Sequence, residues 1–258
     1  MTEAIKALIL AVVQGITEFL PISSSAHLLA LENMLDFHAE GLAFDVSLHM
    51  ATLVAVIIYF RREIVLLARS ENRWAILLRV CIATVPVGVL GFLLASIRED
   101  ISPWVAVGGW VFSSAYLLLT RRLDGATPYV RLSSLEALGV GLAQSLSIFP
   151  GVSRSGATIS MGLWLGLSRD SAAKFSFLIA IPAMLGAGAH EVLKILKSPA
   201  APGTPWLQCG LAMPVAFLTG LLAIHLLLRA VRSSTFHRFG YYNLCAAILF
   251  GVYLIISG

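Results

Sequence analysis

The sequence predicts an all-α integral membrane protein, with six transmembrane helices and two re-entrant helix-loop-helix hairpins arranged as an inverted repeat. Three observations carry that reading. Of 258 residues, 58% are apolar and 12% are charged, about half the charge of an ordinary soluble domain, and mean hydropathy is +0.88. Apolar runs recur at lengths suited to crossing a bilayer. Two further apolar stretches are broken at corresponding places by Pro, Gly and Ser. So little charge excludes a soluble enzyme, a nucleic-acid binder and a disordered chain, despite a pI near 9.1. The net charge of +4 then bears on orientation, because Arg and Lys bias which loops stay in the cytoplasm.

Taken in order, the chain opens with an apolar run from Ala7 to Val13 followed by Ser23-Ser24-Ser25-Ala26. This resembles a secretory leader, but Glu18 stands where such a leader stays apolar, so the segment is read as mature protein. A spanning helix needs roughly 17–25 mostly apolar residues. Five segments qualify, near 80–97, 103–120, 175–193, 206–228 and 239–257. A sixth, Leu42 to Phe60, has the length but carries Asp45 and His49. These lie four residues apart on one helix face, either as a functional pair or as a hydrogen-bonded pair near the interface. The three cysteines, Cys81, Cys209 and Cys245, are far apart in apolar runs and read as inert buried thiols rather than a disulfide or zinc framework.

Residues 3–34 are interrupted by Glu18 and Pro21-Ile22-Ser23-Ser24-Ser25, and residues 134–168 by Pro150-Gly151-Val152-Ser153-Arg154-Ser155-Gly156. Each half is too short to cross alone, so each stretch is expected to dip into the bilayer and return. Non-helical backbone at that depth survives only inside protein or beside a watery cavity. The interruptions also resemble each other. Gln14-Gly15-Ile16-Thr17-Glu18-Phe19-Leu20-Pro21 sets against Gln144-Ser145-Leu146-Ser147-Ile148-Phe149-Pro150, and a serine cluster follows each. Each is then followed by three spans, so the chain reads as a single membrane domain, 1–258, of two inverted repeats, about 1–125 and 134–258. Such interruptions in matching halves point to a site at their interface.

The charge count orients the bundle. Residues 61–79 carry five Arg against two Glu, residues 229–238 add three Arg, and residues 121–136 are net +1; these are expected to be cytoplasmic. Opposite them stand Arg98-Glu99-Asp100 and the acidic Glu32, Asp36 and Glu40, with a mild exception at 190–197. The first hairpin then enters from outside and the second from the cytoplasm.

The residues at the two breaks suit a phosphorylated anion. Gln14 and Glu18 are side by side on the first half-helix, Pro21 ends it, and Ser23 to Ser25 can cap the next. His27 follows Ser24 by three. In the second break, Ser153 or Ser155 caps a helix headed by Arg154, with Thr158 one turn on. Helix N-termini bind phosphate, Arg grips it bidentately, and a carboxylate beside an amide offers hard oxygens to Mg²⁺. A hydroxyl near an imidazole can serve as a nucleophile with its base. Alternatively, the serines are only caps and the histidine only packing. Gly162-Leu-Trp-Leu-Gly166 is a GxxxG match read as helix packing within the chain.

Gln14-Gly15-Ile16-Thr17-Glu18-Phe19-Leu20-Pro21-Ile22-Ser23-Ser24-Ser25-Ala26-His27 resembles the (E/Q)GxTEFLPxSSxxH segment of the bacitracin-resistance-type undecaprenyl-diphosphate phosphatases. Pro150 to Thr158 resembles their PGxSRSxxT segment, and the likeness covers essentially the whole chain. The resemblance implies a metal-dependent membrane enzyme that hydrolyses undecaprenyl diphosphate to the monophosphate and inorganic phosphate, recycling the lipid carrier of cell-wall synthesis. It implies a site open to the outer, periplasmic side of the bacterial inner membrane. The implied catalytic residues are Glu18, Ser24, His27 and Arg154. Phosphate would be held by Ser23, Ser153, Arg154, Ser155 and Thr158, and Mg²⁺ or Ca²⁺ by Glu18 and Gln14. The family's first acidic position is Gln14 here, and Asp45 resembles an acidic position in the next helix. Either Ser24 attacks with His27 as base, or His27 activates water. The partners expected are a polyprenyl diphosphate lipid and the bilayer, with no nucleic acid. A flippase or inverted-repeat transporter is the competing class. The phosphatidate-phosphatase pattern SRxxxxxHxxxD fails, because Ser160 stands where its His would be.

Overall fold

The computed structural model describes residues 3–35, 42–94, 102–197 and 206–257. Among the described residues it contains eleven α-helices and no strand beyond an isolated bridge between Thr127 and Leu167. They are α1 (Glu3–Phe19), α2 (Ser24–Leu35), α3 (Leu42–Tyr59), α4 (Arg61–Arg69), α5 (Arg73–Leu93), α6 (Pro103–Leu119), α7 (Ser134–Ser145), α8 (Arg154–Trp164), α9 (Arg169–Lys197), α10 (Trp206–Arg232) and α11 (Phe239–Ser257). Among the described residues, five helices are long and apolar enough to cross a membrane, or six if the bent α3–α4 pair forms one span. The chain is a multi-pass membrane protein. The acidic Asp36, Glu40 and Arg98-Glu99-Asp100 lie outside the described residues.

The expected 61–79 loop is mostly helix. Leu, Arg and Glu are strong helix formers, so the chain continues past Tyr59 as α4, bent by 59° from α3, and α5 begins at Arg73. The two interrupted stretches break where the sequence places them. α1 stops at Phe19, two residues before Pro21, because the residue before a proline is pushed out of helical geometry. The second stretch passes through a 3-10 turn at Leu146–Ile148 before Pro150.

Packing exchanges the two halves. α1 lies along α10, α7 along α5, α3 meets α9, and α6 meets α11. The first helix of each hairpin thus rests on a span of the other half. Close approach there requires glycine at one position above all. A Cβ on Gly15 would stand 2.0 Å from Thr219 Oγ1 and 2.5 Å from the Ala216 carbonyl oxygen. The GxxxG match divides into two jobs. Gly162 packs on Ala172 of α9, while Gly166, at φ +82°, closes α8. There the Leu167 amide donates to the Gly162 carbonyl (3.0 Å) and the Gly166 amide to that of Leu163 (3.0 Å), a Schellman motif. The cysteine expectation holds for Cys209, which is buried; Cys81 and Cys245 are exposed thiols on outward-facing helix surfaces.

One end of the bundle gathers the basic segments. Tyr129 donates to Glu63 (2.8 Å) and Lys174 pairs with Glu63 and Asp170 at 3.2 Å each. Arg232 reaches Asp170 at 2.6 Å, and Arg79 donates to the Val130 carbonyl at 2.8 Å. Segments 61–79, 121–133 and 229–238 therefore share one face, the grouping that the charge count requires. Outside the spans, burial and the Glu63 carboxylate push the Tyr129 phenol above its ordinary range, so it stays a donor.

The Gly15 contact yields a paired test. Gly15→Ala should lower the thermal midpoint of the detergent-purified protein and cost about 1–3 kcal/mol, as overpacking does. Gly108→Ala, with nothing within 4 Å of its Cβ, should be neutral or slightly stabilising in a helix. Equal midpoints for the two variants would deny the α1–α10 close approach.

Candidate active site

The two breaks meet inside the bundle. Ser23, the last residue before α2, has φ +66°, a left-handed conformation that costs a non-glycine residue about 1–2 kcal/mol. Its surroundings hold it there. The Ser23 hydroxyl accepts the Gly151 amide (3.0 Å), tying one hairpin tip to the other. The freed carbonyls of the first break each find a donor. Asn243 Nδ2 donates to Pro21 O at 3.0 Å, Trp110 Nε1 to Ile22 O at 2.8 Å, and His27 Nδ1 to Ser23 O at 2.7 Å.

Besides the Ser23 contact, the second break is held by α6. Ser113 Oγ donates to Gly151 O (2.8 Å) and lies 3.2 Å from the Ser153 amide, and Tyr116 OH donates to Ser153 O (3.0 Å). Gly151, at φ +88°, leaves no room for a side chain, since a Cβ would stand 2.2 Å from Ala106 O. Trp110, Ser113, Tyr116 and Asn243 were not singled out by the sequence; their only signal was polarity inside apolar runs.

Glu18 is the centre of the polar cluster. Its carboxylate is ion-paired with Arg154 Nη2 through Oε1. Ser24 Oγ donates to its other oxygen at 2.6 Å, and Gln14 Nε2 donates there at 3.1 Å. The side chains of Glu18 and Arg154 are 8% and 16% exposed, so the two charges compensate each other where water is scarce. Four sequence-predicted residues, Gln14, Glu18, Ser24 and Arg154, thus come from 136 positions apart into one cluster.

The other predicted residues do different work. His27 was expected to activate Ser24, but both of its ring nitrogens are engaged elsewhere. Nδ1 donates to Ser23 O, which leaves Nε2 to accept from Tyr242 OH at 2.8 Å. The ring is stacked on Tyr242 and edge-on to Trp110, so in this structure it supports the tip. Ser153 caps α8 by accepting from the Gly156 amide, and Ser155 lies against it, both buried. Thr158 is 1% exposed and bonded to Ser176 of α9 at 2.6 Å. Its hydroxyl anchors α8 and does not face the cluster.

A second imidazole, that of His49, lies beside the cluster. Its Nδ1 donates to the Asp45 carbonyl (2.9 Å), so its neutral form presents an unprotonated Nε2, 4.0 Å from Glu18 Oε2 and half exposed. The Asp45 carboxylate does not hydrogen-bond His49, and lies in electrostatic reach of Glu32 and Glu191.

Among the described residues no group of three His, Cys, Asp or Glu is arranged for a metal. The tips do offer two hard oxygen donors. Gln14 is fully buried and its Oε1 has no hydrogen-bond partner, an orphaned acceptor one helical turn from Glu18. Gln14 Nε2 faces Glu18 here; with the amide turned over, its oxygen and the one carboxylate fit Mg²⁺ or Ca²⁺ when phosphate oxygens and water complete the shell.

The bacitracin resistance protein BacA family model matches residues 7–249. The chain is 37% identical to a protein of Rubrobacter xylanophilus over 99% of its own length and 100% of that relative's. It is 40% identical to one of Korarchaeum cryptofilum over 95% and 97%, and 37% identical to one of Colwellia psychrerythraea over 86% and 89%. All three carry the name undecaprenyl-diphosphatase.

The ion pair predicts that Arg154→Lys keeps the charge opposite Glu18 but loses the planar fork. Its thermal midpoint should stay near wild type while phosphatase turnover falls at least about tenfold, or about 1.4 kcal/mol in the barrier. Normal turnover would reduce Arg154 to a structural counter-ion.

Proposed function

We propose that this chain, which belongs to the bacitracin resistance protein BacA family, hydrolyses undecaprenyl diphosphate to undecaprenyl phosphate and inorganic phosphate through the Glu18 cluster. That reaction returns the lipid carrier used in wall synthesis. The observation that carries the assignment of residues is the carboxylate of Glu18, joined at once to a serine hydroxyl of its own hairpin and to a guanidinium of the other.

Ser24 is the nucleophile in this reading. Its hydroxyl already donates to Glu18 Oε2, so Glu18 takes the proton as the Ser24 oxygen attacks the terminal phosphorus. The bond from phosphorus to the bridging oxygen breaks, and undecaprenyl phosphate leaves with that electron pair. Glu18 gives that proton to the departing phosphate and is again a carboxylate when water attacks the phosphoserine; it takes the water's proton and passes it to the Ser24 oxygen as inorganic phosphate departs. Arg154 uses one donor for Glu18 and has four more for the phosphoryl oxygens. The first-turn amides of α8, which have no acceptor inside the helix, add positive dipole at the same place. His49 Nε2 is the nearest free base for relaying the proton outward. Direct attack by a water held against Glu18 is the second route, favoured by the same carboxylate.

A divalent cation held by Glu18 and Gln14 Oε1 would neutralise charge on the diphosphate. We place the site on the outer side of the cytoplasmic membrane. This rests on the basic segments gathering at the end to which α3 descends, while His49 and Asp45 lie toward its other end.

Purified protein in detergent should release phosphate from undecaprenyl diphosphate, and a chelator should suppress release if the cation is required. Glu18→Gln should lower turnover by at least about a hundredfold, the scale of a lost general base, whereas Gln14→Glu should remain active. Turnover of Glu18→Gln at the wild-type rate would relocate the base. For orientation, a cysteine replacing Ser25, which is exposed at the tip, in a background lacking the three native cysteines should react with an impermeant thiol reagent added to intact cells without an outer membrane. Labelling from inverted vesicles alone would reverse the assigned side, and labelling from both sides would favour a flippase.

A further inference from the structure

At the basic end of the bundle, away from the hairpin tips, the ends of α3 and α10 flank an open cavity of about 420 Å³ lined by Tyr59, His225, Leu228, Arg229, Arg232 and Ser233. Tyr59 lies ten residues along α3 from His49, which at 1.5 Å per residue sets the cavity roughly 15 Å below the Glu18 cluster. None of its lining residues has a place in the hydrolytic site.

The cavity is cationic, and its charges are not all compensated. Arg232 is held by Asp170 through Nε and Nη2, at 3.0 and 2.6 Å. Arg229 has no carboxylate partner among the described residues and is exposed. His225 is exposed with Nδ1 3.5 Å from Tyr59 OH, so its Nε2 is left for a ligand. Arg61 and Arg62 begin the next helix just past Tyr59 and extend the positive rim.

What lies beside the cationic rim selects the ligand. Leu218, Leu222, His225 and Arg229 recur every three or four residues on one face of α10, and all four are exposed. That face changes along its length from apolar to cationic, as a lipid changes in reverse from acyl chain to phosphate. A free anion would match only the cationic half. Tyr59 stands at the boundary, where aromatic rings with a polar tip collect in membranes.

We propose that this cavity is a binding site for an anionic phospholipid of the leaflet on the basic side, its phosphate held by Arg229, His225, Ser233 and Tyr59 and its acyl chain laid along Leu222 and Leu218. Basic pockets between spanning helices take anionic headgroups in this way. The site is independent of the hydrolytic reading, and its occupant is a structural lipid rather than the substrate.

Phosphatidylglycerol is the probe. The full-length protein, reconstituted in phosphatidylcholine doped with phosphatidylglycerol and re-extracted, should retain phosphatidylglycerol by native mass spectrometry. Arg229→Gln should weaken retention about fivefold, the effect of one cationic side chain at a charged lipid surface, and His225→Gln should weaken it further in the double variant. Arg62→Gln, at the rim and outside the lining, should retain the lipid. Phosphate release from undecaprenyl diphosphate in detergent should be unchanged by Arg229→Gln. Equal retention by Arg229→Gln, equal loss in Arg62→Gln, or no retention by the wild type would each overturn the proposal. Displacement of the lipid by inorganic phosphate would overturn it too, showing a site for the anion alone.

Discussion

Backbone that leaves helical geometry inside a bilayer must find a protein partner for every carbonyl and amide it frees, because no water is there to take them. That constraint governs this fold. Two breaks are buried, and their freed groups are met by side chains from spans distant in sequence, Trp110, Ser113 and Tyr116 of α6 and Asn243 of α11, and by His27 of the hairpin itself. α6 serves both breaks, so it fixes the tips relative to each other as well as within themselves. The left-handed Ser23 persists because its hydroxyl, its carbonyl and the carbonyl before it are all engaged. Relaxing it would strand several polar groups at once.

Placing the tips by backbone contacts frees the side chains for chemistry. Glu18 and Arg154 neutralise each other with little exposure of either, and a buried charge left without its partner is strongly unfavourable. A diphosphate entering this cluster brings negative charge that Arg154 can meet while keeping Glu18, since a guanidinium has donors to spare. A lysine ammonium could hold a carboxylate too, but without the fixed fork that reaches phosphate at the same time. The hydroxyl of Ser24 is aimed by the Glu18 carboxylate, so in the proposed reaction one residue would both orient the nucleophile and take its proton.

The bundle separates two chemistries by depth. The reactive cluster sits where the hairpins meet, with His49 beside it on α3. Ten residues farther along α3 the chain reaches the basic end, where Glu63, Asp170, Lys174 and Arg232 bind three helices into one network. That network sets which ends of the spans face the same way, and among the described residues it leaves Arg229 without a carboxylate partner. Charge that biases insertion during synthesis therefore also holds the loops together in the folded protein.

Local order was readable from the residues alone, because it depends on local physics. Apolar length fixed the spans, and α11 has the bounds that its hydropathy predicts. Proline and glycine fixed the two breaks, and the i, i+4 spacing of Gln14 and Glu18 fixed a bond between neighbours on one helix. Charge sign sorted the loops into one end. What touches across the bundle was decided only by tertiary structure. Spacing put His27 on the same face as Ser24, yet the ring turned to Tyr242, 215 positions away, because an aromatic slot and a freed carbonyl were waiting there. Thr158 looked equally placed for phosphate, and α9 took its hydroxyl instead. The polar residues of α6 carried no readable motif, since their partners are backbone groups exposed by breaks elsewhere in the chain. A motif records which side chains are available; which of them face one another depends on how the spans stack, and that information belongs to the packed bundle.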